Sequence, residues 1–224
     1  ALLDTVTDRN LLSVRYNNIG LAYQLMGKHT DAIRWLKKAM VYDMEQNNEL
    51  NIAKRQFNLG VSYLSLNDFG NSKKYLEQAE RFFTGLDLPS YLTNVYGKLG
   101  ELHQKQHDFS GAESYYLKSA EMAERANTLP AKTFASKYLY NYYKTTSQPA
   151  QALKYLEIFT STNDSVYKVE TAKQIAELEK KYQTEKKENE IQRLEVENEM
   201  RSKELIYRKR ERNLAFAGLL LLFI

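Results

Sequence analysis

The sequence contains no cysteine, only three prolines and only nine glycines among its 224 residues. The absence of cysteine excludes disulfide bridges and thiolate metal sites. Glycine and proline interrupt helices, and 43% of the residues are hydrophobic. We therefore expect an all-α fold, in a chain long enough to bury a core.

The chain also lacks a strong excess of one charge, since its formal net charge is only +4 and acids and bases are interspersed. This balance does not indicate nucleic-acid binding. The sequence has no glycine-rich phosphate loop and no nucleophile motif. His103 and His107 have a spacing that suits a metal, but no third ligand pattern lies nearby. We predict no metal, no cofactor and no enzyme activity within these residues.

The clearest pattern is a repeat with a period of forty residues. Apolar residues return at steps of three and four on both sides of a polar break, so each unit is predicted to form two amphipathic helices. Small residues in two of the columns would let the paired helices approach closely. The columns are Gly20, Gly60, Gly100 and Tyr140; Tyr23, Tyr63, His103 and Tyr143; Ala32, Ser72, Ala112 and Ala152; and Leu36, Leu76, Tyr116 and Leu156.

These columns resemble the tetratricopeptide repeat, whose first helix carries an aromatic residue, Leu-Gly and Tyr, and whose second carries Ala, an aromatic or Leu, and Ala. The first unit matches most fully, through Tyr16, Gly20, Tyr23, Ala32 and Leu36. The usual period is about 34 residues, so the extra residues here imply longer helices or longer linkers. The resemblance implies a helical-hairpin solenoid.

Four such repeats are predicted over residues 13–164, with residues 1–12 as the end of a preceding repeat. Pro89 and Pro130 stand where the first helices of later units should begin, because proline suits the first turn of a helix. In an array of this kind the first helices line a concave surface. Tyr138, Tyr140, Tyr142 and Tyr143 are expected to pack within and between repeats rather than to form a ligand cage.

Residues 165–213 contain no glycine or proline, and about half of them are charged. We predict one long charged helix, capped at Asp164 or Ser165. An interrupted heptad pattern favours either a homodimeric coiled coil through residues 175–205 or a single helix that caps the last repeat. The candidate dimer seam consists of Ile175, Leu178, Tyr182, Ile191, Leu194 and Leu205.

The chain ends in an uncharged apolar run, residues 214–224, which is too short to cross a bilayer as it stands. We interpret it as the start of a truncated transmembrane segment. Together with the charged helix, it resembles the connector of Gram-negative bacterial sensor proteins, in which tetratricopeptide repeats precede one membrane span and a histidine kinase or helix-turn-helix output. This resemblance implies an inner-membrane protein with periplasmic repeats. Arg208, Lys209, Arg210 and Arg212 favour cytoplasmic repeats instead, and both topologies stay open.

The first helices also carry the candidate binding residues. Their amides suit the backbone of an extended peptide, their lysines suit a carboxylate, and Phe57 suits an apolar side chain. The expected function is the sensor or interaction region of a signalling protein that binds a peptide or protein and relays binding through the charged helix. The alternative is a scaffold that does not switch. The candidates are Asn17, Gln24, Lys54, Phe57, Asn58, Lys98, Glu101, Lys105, Lys137, Asn141 and Lys144.

Overall fold

The computed structural model describes the backbone of residues 6–221 and the side chains of residues 11–180, 182–210 and 212. The described backbone forms eight helices. They are α1 (Val6–Leu25), α2 (His29–Glu45), α3 (Glu49–Ser65), α4 (Phe69–Gly85), α5 (Pro89–Lys105), α6 (Phe109–Ala126), α7 (Leu129–Thr145) and α8 (Pro149–Leu221). The chain is all-α over this range, as the sequence predicts.

The long period of the repeat is explained by long helices. Helices α2, α3, α4, α5 and α7 have 17 residues each, and short links join them. Most links contain one residue with a positive φ, and these residues recur every twenty positions. They are Asn47, Asn67, Asp87, His107, Asn127 and Ser147. Each forty-residue unit is therefore built from two helix-and-turn halves of equal length.

The beginnings of several helices are fixed by short polar side chains or by proline. Asp68 and Asp108 each accept a hydrogen bond from the backbone amide three residues later, at 3.1 Å and 2.9 Å. This satisfies an amide that the first helical turn leaves unpaired. Proline lies at the first or second position of α5 and α7, as predicted for Pro89 and Pro130.

The predicted small-residue column brings the two helices of a hairpin together. A Cβ atom at Gly20 would lie 2.8 Å from Leu36 Cγ, and one at Gly60 would lie 2.7 Å from Leu76 Cγ. Such distances are well inside van der Waals contact, so only glycine allows this approach. Leu36 and Leu76 are themselves fully buried.

A buried ion pair joins the first two repeats. Arg55 Nε of α3 donates to Asp43 Oδ2 of α2 at 3.0 Å, and both side chains are at most 6% exposed. Ser13 of α1 donates to Asp43 Oδ1 at 2.6 Å. Burial lowers the pKa of Arg55 although Asp43 works against that shift. The corresponding columns one repeat later hold Phe83 and Val95, which belong to an apolar cluster.

The fourth repeat and the charged segment share one helix, which corrects the predicted helix start at Asp164 or Ser165. Helix α8 runs without a break from Pro149 to Leu221. Ser165 Oγ donates to the carbonyl oxygen of Ser161 at 2.9 Å, so this hydroxyl bonds to the preceding turn and caps no helix. Neither glycine nor proline occurs between Pro149 and Gly218, so the sequence gives the helix no reason to stop near residue 164.

Contacts between Cα atoms divide the chain into one compact unit up to Val166 and another from Tyr167 onward. In the second unit every residue of the candidate dimer seam is exposed, with 46% to 67% of its surface accessible. The seam remains a prediction. Within the described range, no helix combines the length and the apolar character needed to cross a bilayer. Residues 222–224 of the predicted transmembrane segment, and all its side chains, lie outside the described part.

Candidate functional site

A groove of about 590 Å³ opens across the first helices of the repeats. Most of its lining comes from α3, α5 and α7, because the same positions of successive first helices lie side by side. We call this site the groove. It is lined by Gln24, Phe57, Asn58, Val61, Asn94, Lys98, Glu101, Gln104, Tyr116, Phe134, Lys137, Tyr138 and Asn141.

Two stacked tyrosines form part of the groove wall. The rings of Tyr138 on α7 and Tyr116 on α6 are stacked with centroids 5.8 Å apart. The Tyr116 hydroxyl donates to Gln104 Oε1 at 2.8 Å. Tyr138 also packs on the backbone of Gly97 so closely that a Cβ there would overlap its ring. This packing fixes α7 against α5 and places the groove residues of the two helices next to each other.

The two groove lysines differ in their partners. Lys98 Nζ donates to Glu101 Oε2 at 2.7 Å, and it lies 5.6 Å from the centroid of the Tyr138 ring. Burial opposes the charge of Lys98, but Tyr138 and Glu101 outweigh burial and raise its pKa. Lys137 has no acidic partner among the described residues, and its Nζ lies 5.9 Å from the Phe159 ring centroid.

A polar seam between α1 and α3 closes one end of the groove. Gln24 Nε2 donates to the Asn58 carbonyl oxygen at 2.7 Å and to Ser62 Oγ at 2.6 Å. Asn58 Nδ2 in turn donates to Asn17 Oδ1 at 3.3 Å. These amides therefore join two repeats, and their capacity to bond a ligand is partly used.

The structure brings most of the predicted binding residues together in the groove. Those that line it are Gln24, Phe57, Asn58, Lys98, Glu101, Lys137 and Asn141.

Three of the other candidates contact side chains within the repeats. Lys54 Nζ lies 5.3 Å from the Tyr91 ring centroid, and Lys144 Nζ lies 5.8 Å from that of Tyr140. Lys105 Nζ donates to Asn67 Oδ1 at 3.1 Å.

The sequence analysis missed several residues that line the groove. Asn94 and Phe134 occupy the same repeat column as Lys54, which was selected, so the forty-residue period could have identified them. Tyr138 packs as predicted, but it also lines the groove. Val61 lies in the column of Glu101, where an apolar residue gave no signal of binding. The missed residues are Val61, Asn94, Gln104, Tyr116, Phe134 and Tyr138.

The two neighbouring histidines do not come together around a metal. His103 Nδ1 lies 2.8 Å from Asp108 Oδ2, and its ring packs 5.0 Å from that of Tyr115. His107 lies in the link after α5 with a φ of 63°. The amide of Gly111 and the nearby His103 lower the pKa of Asp108. Within the described residues, no group of three or more metal-binding side chains is found.

Comparison with known proteins gives the same fold. Residues 11–84 and residues 92–127 each match a sequence profile described as tetratricopeptide repeat. A search of curated proteins finds no significant match.

Two similar solved structures have low sequence identity to this chain. BtubC (BKLC) from P. vanneervenii aligns with a TM-score of 0.58 and 18% identity, over 71% of this chain and 66% of that one. Aspartyl phosphate phosphatase F from Bacillus subtilis aligns with a TM-score of 0.63 and 13% identity, over 71% and 42%. The chain thus spans less than two thirds of each, and at these identities the similarity shows the fold alone.

The helical hairpins are stacked, and glycine contacts lie inside the first three of them. This arrangement defines a helical repeat protein whose first helices form a groove. The profile matches and the aligned columns identify the repeats. The chain is a tetratricopeptide repeat protein, and repeats of this class bind partner proteins or peptides.

Proposed function

We propose that the chain is a protein-interaction module that binds an extended segment of a partner across α3, α5 and α7. The observation that carries this proposal is the groove itself, because side chains from three successive repeats line one cavity of about 590 Å³. Amide side chains in the groove, among them the exposed Asn141, can pair with a peptide backbone, while Phe57 and Phe134 offer apolar surface. A single hairpin could not offer this combination.

Site-specific photo-crosslinking tests this proposal. A photoreactive amino acid replaces Phe134, which is 47% exposed in the groove, or Val41, which is 52% exposed on α2. The matched exposure makes Val41 the control for nonspecific contact. We expect a discrete protein adduct from position 134 in cells and none at position 41. Equal adducts from both positions, or none from position 134, would contradict binding in the groove.

We further propose that this module belongs to a signalling protein, in which binding at the repeats changes the pairing of α8 between two copies. The continuity of α8 supports the relay, since the second helix of repeat four and the charged segment share one backbone. A relay also requires two discrete states of the helix pair. The alternative is a scaffold that holds its partner without any change in α8.

Single-cysteine crosslinking separates these two functions, because the chain has no cysteine of its own. Ile191→Cys and Leu194→Cys report on the predicted seam. Lys203→Cys is the control, since the helical period of 3.6 residues places it roughly opposite the seam. For the relay we expect disulfide formation at the seam, with a yield that changes when the groove is occupied. An unchanged yield would favour the scaffold, and no seam crosslink would remove the dimer.

Location at the inner membrane, with the repeats in the periplasm, is part of the same proposal. It rests on the resemblance to sensor connectors and on the apolar run 214–224. A reporter that is active only in the periplasm, fused ahead of Ala1, tests it in a Gram-negative host. Reporter activity in the full chain is the expected result, and an inactive but intact fusion would contradict a periplasmic location.

A further inference from the structure

A second pocket, of about 320 Å³, lies in the last hairpin of the repeats, between α7 and the first turns of α8. We call it the terminal pocket. Its wall includes Tyr140, Lys144, Pro149, Leu153 and Leu156. It shares no lining residue with the groove, so it is a separate site, although α7 contributes to both.

The forty-residue period shows what fills the same place in the earlier hairpins. In each case a side chain of the next first helix is inserted, and these side chains form one column, Ser62, Leu102 and Tyr142. Each of the three is at most 3% exposed. The Tyr142 ring lies 5.5 Å from that of Tyr116, and its hydroxyl donates to the Phe109 carbonyl oxygen at 2.9 Å.

The terminal pocket is built from the same columns as the place that Tyr142 fills. Tyr116, which packs on the Tyr142 ring, corresponds to Leu156 one repeat later. Phe109, whose carbonyl oxygen accepts from Tyr142, corresponds to Pro149. Both counterparts line the terminal pocket.

The two earlier interfaces agree with this correspondence. Gln24 Nε2 donates to Ser62 Oγ at 2.6 Å, and Leu102 belongs to the same buried cluster as Leu64. Gln24 and Leu64 both correspond to Lys144, which lines the terminal pocket. The terminal pocket is therefore the fourth copy of a site that a neighbouring first helix fills three times within this chain.

The face of α8 beside the terminal pocket is left uncovered. Leu156 is only half-buried, whereas Leu36 and Leu76 in its column are fully buried. Leu153 is 57% exposed. Helix α8 continues to Leu221, so within the described range no turn follows that could return another first helix onto this face.

Tyr140 stands in the column where the first three hairpins have glycine. A Cβ atom at Gly60 would lie 2.7 Å from Leu76 Cγ, so a side chain in this column excludes such a close contact with the second helix. Lys144 Nζ lies 5.8 Å from the Tyr140 ring centroid. The terminal pocket thus has an aromatic wall beside its aliphatic side chains, and covering this surface favours an apolar occupant.

We propose that the terminal pocket and the adjoining face of α8 bind an amphipathic helix of a partner protein, as α2, α4 and α6 bind α3, α5 and α7. The partner helix places a leucine or an aromatic side chain in the pocket, as α5 and α7 place Leu102 and Tyr142. Its other apolar residues, spaced three and four apart, cover Leu153 and Leu156. This surface goes beyond the groove and gives the module a second partner.

Helix α1 of a second copy of the chain is a poor match for the terminal pocket. The residue of α1 in the column of Leu102 and Tyr142 is Ala22, and its methyl group would leave much of the volume of about 320 Å³ unfilled. Unfilled apolar space forfeits van der Waals contacts and weakens docking. A partner with a larger side chain is therefore the better occupant.

Selection against the full chain from a library of helices displayed on a fixed scaffold tests this inference without a known partner. Selected helices should share one large apolar residue, and its replacement by alanine should weaken binding about tenfold or more. Leu153→Glu should weaken the same helices by a similar factor, because it buries a charge against apolar surface. Val41→Glu on α2 is the matched control, since Val41 is 52% exposed, and binding should stay within about threefold.

Dependence on the groove would overturn this inference. If Phe57→Ala abolishes binding of the selected helices while Leu153→Glu has no effect, the helices bind in the groove and the terminal pocket takes no part. Failure to select any helix that depends on Leu153 would overturn it as well. Neither result bears on binding of an extended segment in the groove, which crosslinking from position 134 tests separately.

Sedimentation equilibrium distinguishes a partner helix from a second copy. Leu153→Glu and Val41→Glu should leave the association state of the full chain as it is in wild type. Self-association that Leu153→Glu abolishes and Val41→Glu retains would show that a second copy covers this face, and would contradict a partner helix. Circular dichroism of each variant establishes that a lost affinity is not a lost fold.

Discussion

The ring of Tyr138 packs directly on the backbone of Gly97, so that a Cβ atom at residue 97 would overlap it. This contact joins the first helices of repeats three and four, and it places Lys137 and Asn141 beside Lys98 and Glu101. The shape of the groove therefore depends on one glycine that the tetratricopeptide pattern does not require.

Gly97→Ala should destabilise the protein by about 1–3 kcal/mol, since the new methyl group forces apart two packed helices. Alanine is otherwise the better helix former, by roughly 0.5–1 kcal/mol. Gly85→Ala is the matched control, because no atom lies within 4 Å of a Cβ built at Gly85. Urea unfolding should show the control to be neutral or more stable. A Gly97→Ala protein as stable as wild type would show that α5 and α7 are not fixed by this contact.

Breaking the buried ion pair between Asp43 and Arg55 should destabilise the protein strongly. Arg55→Leu leaves a carboxylate buried without its cation, and the expected loss is about 3–5 kcal/mol. The measurement is the free energy of unfolding from denaturant titration at neutral pH.

A triple variant provides the control for that prediction. Ser13→Ala/Asp43→Phe/Arg55→Val copies the residues that occupy the same columns one repeat later. Ala53, Phe83 and Val95 form part of an apolar core there. We expect the triple variant to recover most of the stability lost in Arg55→Leu. If the triple variant is as unstable as the single variant, apolar residues cannot replace Asp43 and Arg55 at the interface between the first two repeats.

Gln24→Ala should lower the stability of the protein and change its affinity for a peptide only slightly. Its amide makes two hydrogen bonds between repeats, at 2.7 Å and 2.6 Å. Removing them should cost about 1–3 kcal/mol of unfolding free energy. A peptide selected from a random library against the full chain should bind the folded variant with an affinity within about threefold of wild type, a difference under about 1 kcal/mol. A large loss of affinity with unchanged stability would make Gln24 a ligand-binding residue instead.

The protein should lose stability in alkaline solution. Burial raises the pKa of Tyr138 above its ordinary value of 10.0, although Lys98 nearby works in the opposite direction. Burial likewise raises the pKa of Tyr116. Above pH 10.0 the unfolded chain therefore releases protons that the folded chain still holds, and the free energy of unfolding falls as pH increases. This contribution is fully present below that pH.

Urea unfolding at a series of alkaline pH values measures this effect, with tyrosinate absorbance as a second readout. Tyr138→Phe should make the decline of stability with pH shallower, because one of the shifted groups is gone. A decline of the same steepness in Tyr138→Phe would mean that this phenol does not resist ionisation in the folded protein.

Much of the fold follows from spacing in the sequence, because glycine and alanine columns at a fixed period report directly where helices touch. The forty-residue period leads to Gly20 and Leu36 without any structure. The same reasoning missed the pair of Asp43 and Arg55, since two charged residues twelve positions apart look like solvated side chains until the helices are packed. The forty-residue period indicated that both positions are buried, because apolar residues occupy the same columns in the next repeat.

The site was predicted less completely than the fold. Choosing polar residues on the first helices located Lys98, Lys137 and Asn141 in one groove, because successive first helices are neighbours. Polarity also selected Lys105, whose ammonium group bonds to Asn67. It passed over Phe134, although Phe57 on an earlier first helix was selected for its apolar side chain. The course of a groove depends on which helix faces are covered, and a single sequence does not state that.

Binding across α3, α5 and α7 is tested most directly by mapping backbone amide chemical shifts of the full chain as a peptide selected against it from a random library is added. The predicted result is a set of perturbed amides concentrated in residues 57–61, 94–104 and 134–141, with little change in α2 and α4. Perturbations that cluster on α2 and α4, and leave these three segments unchanged, would contradict the proposed groove.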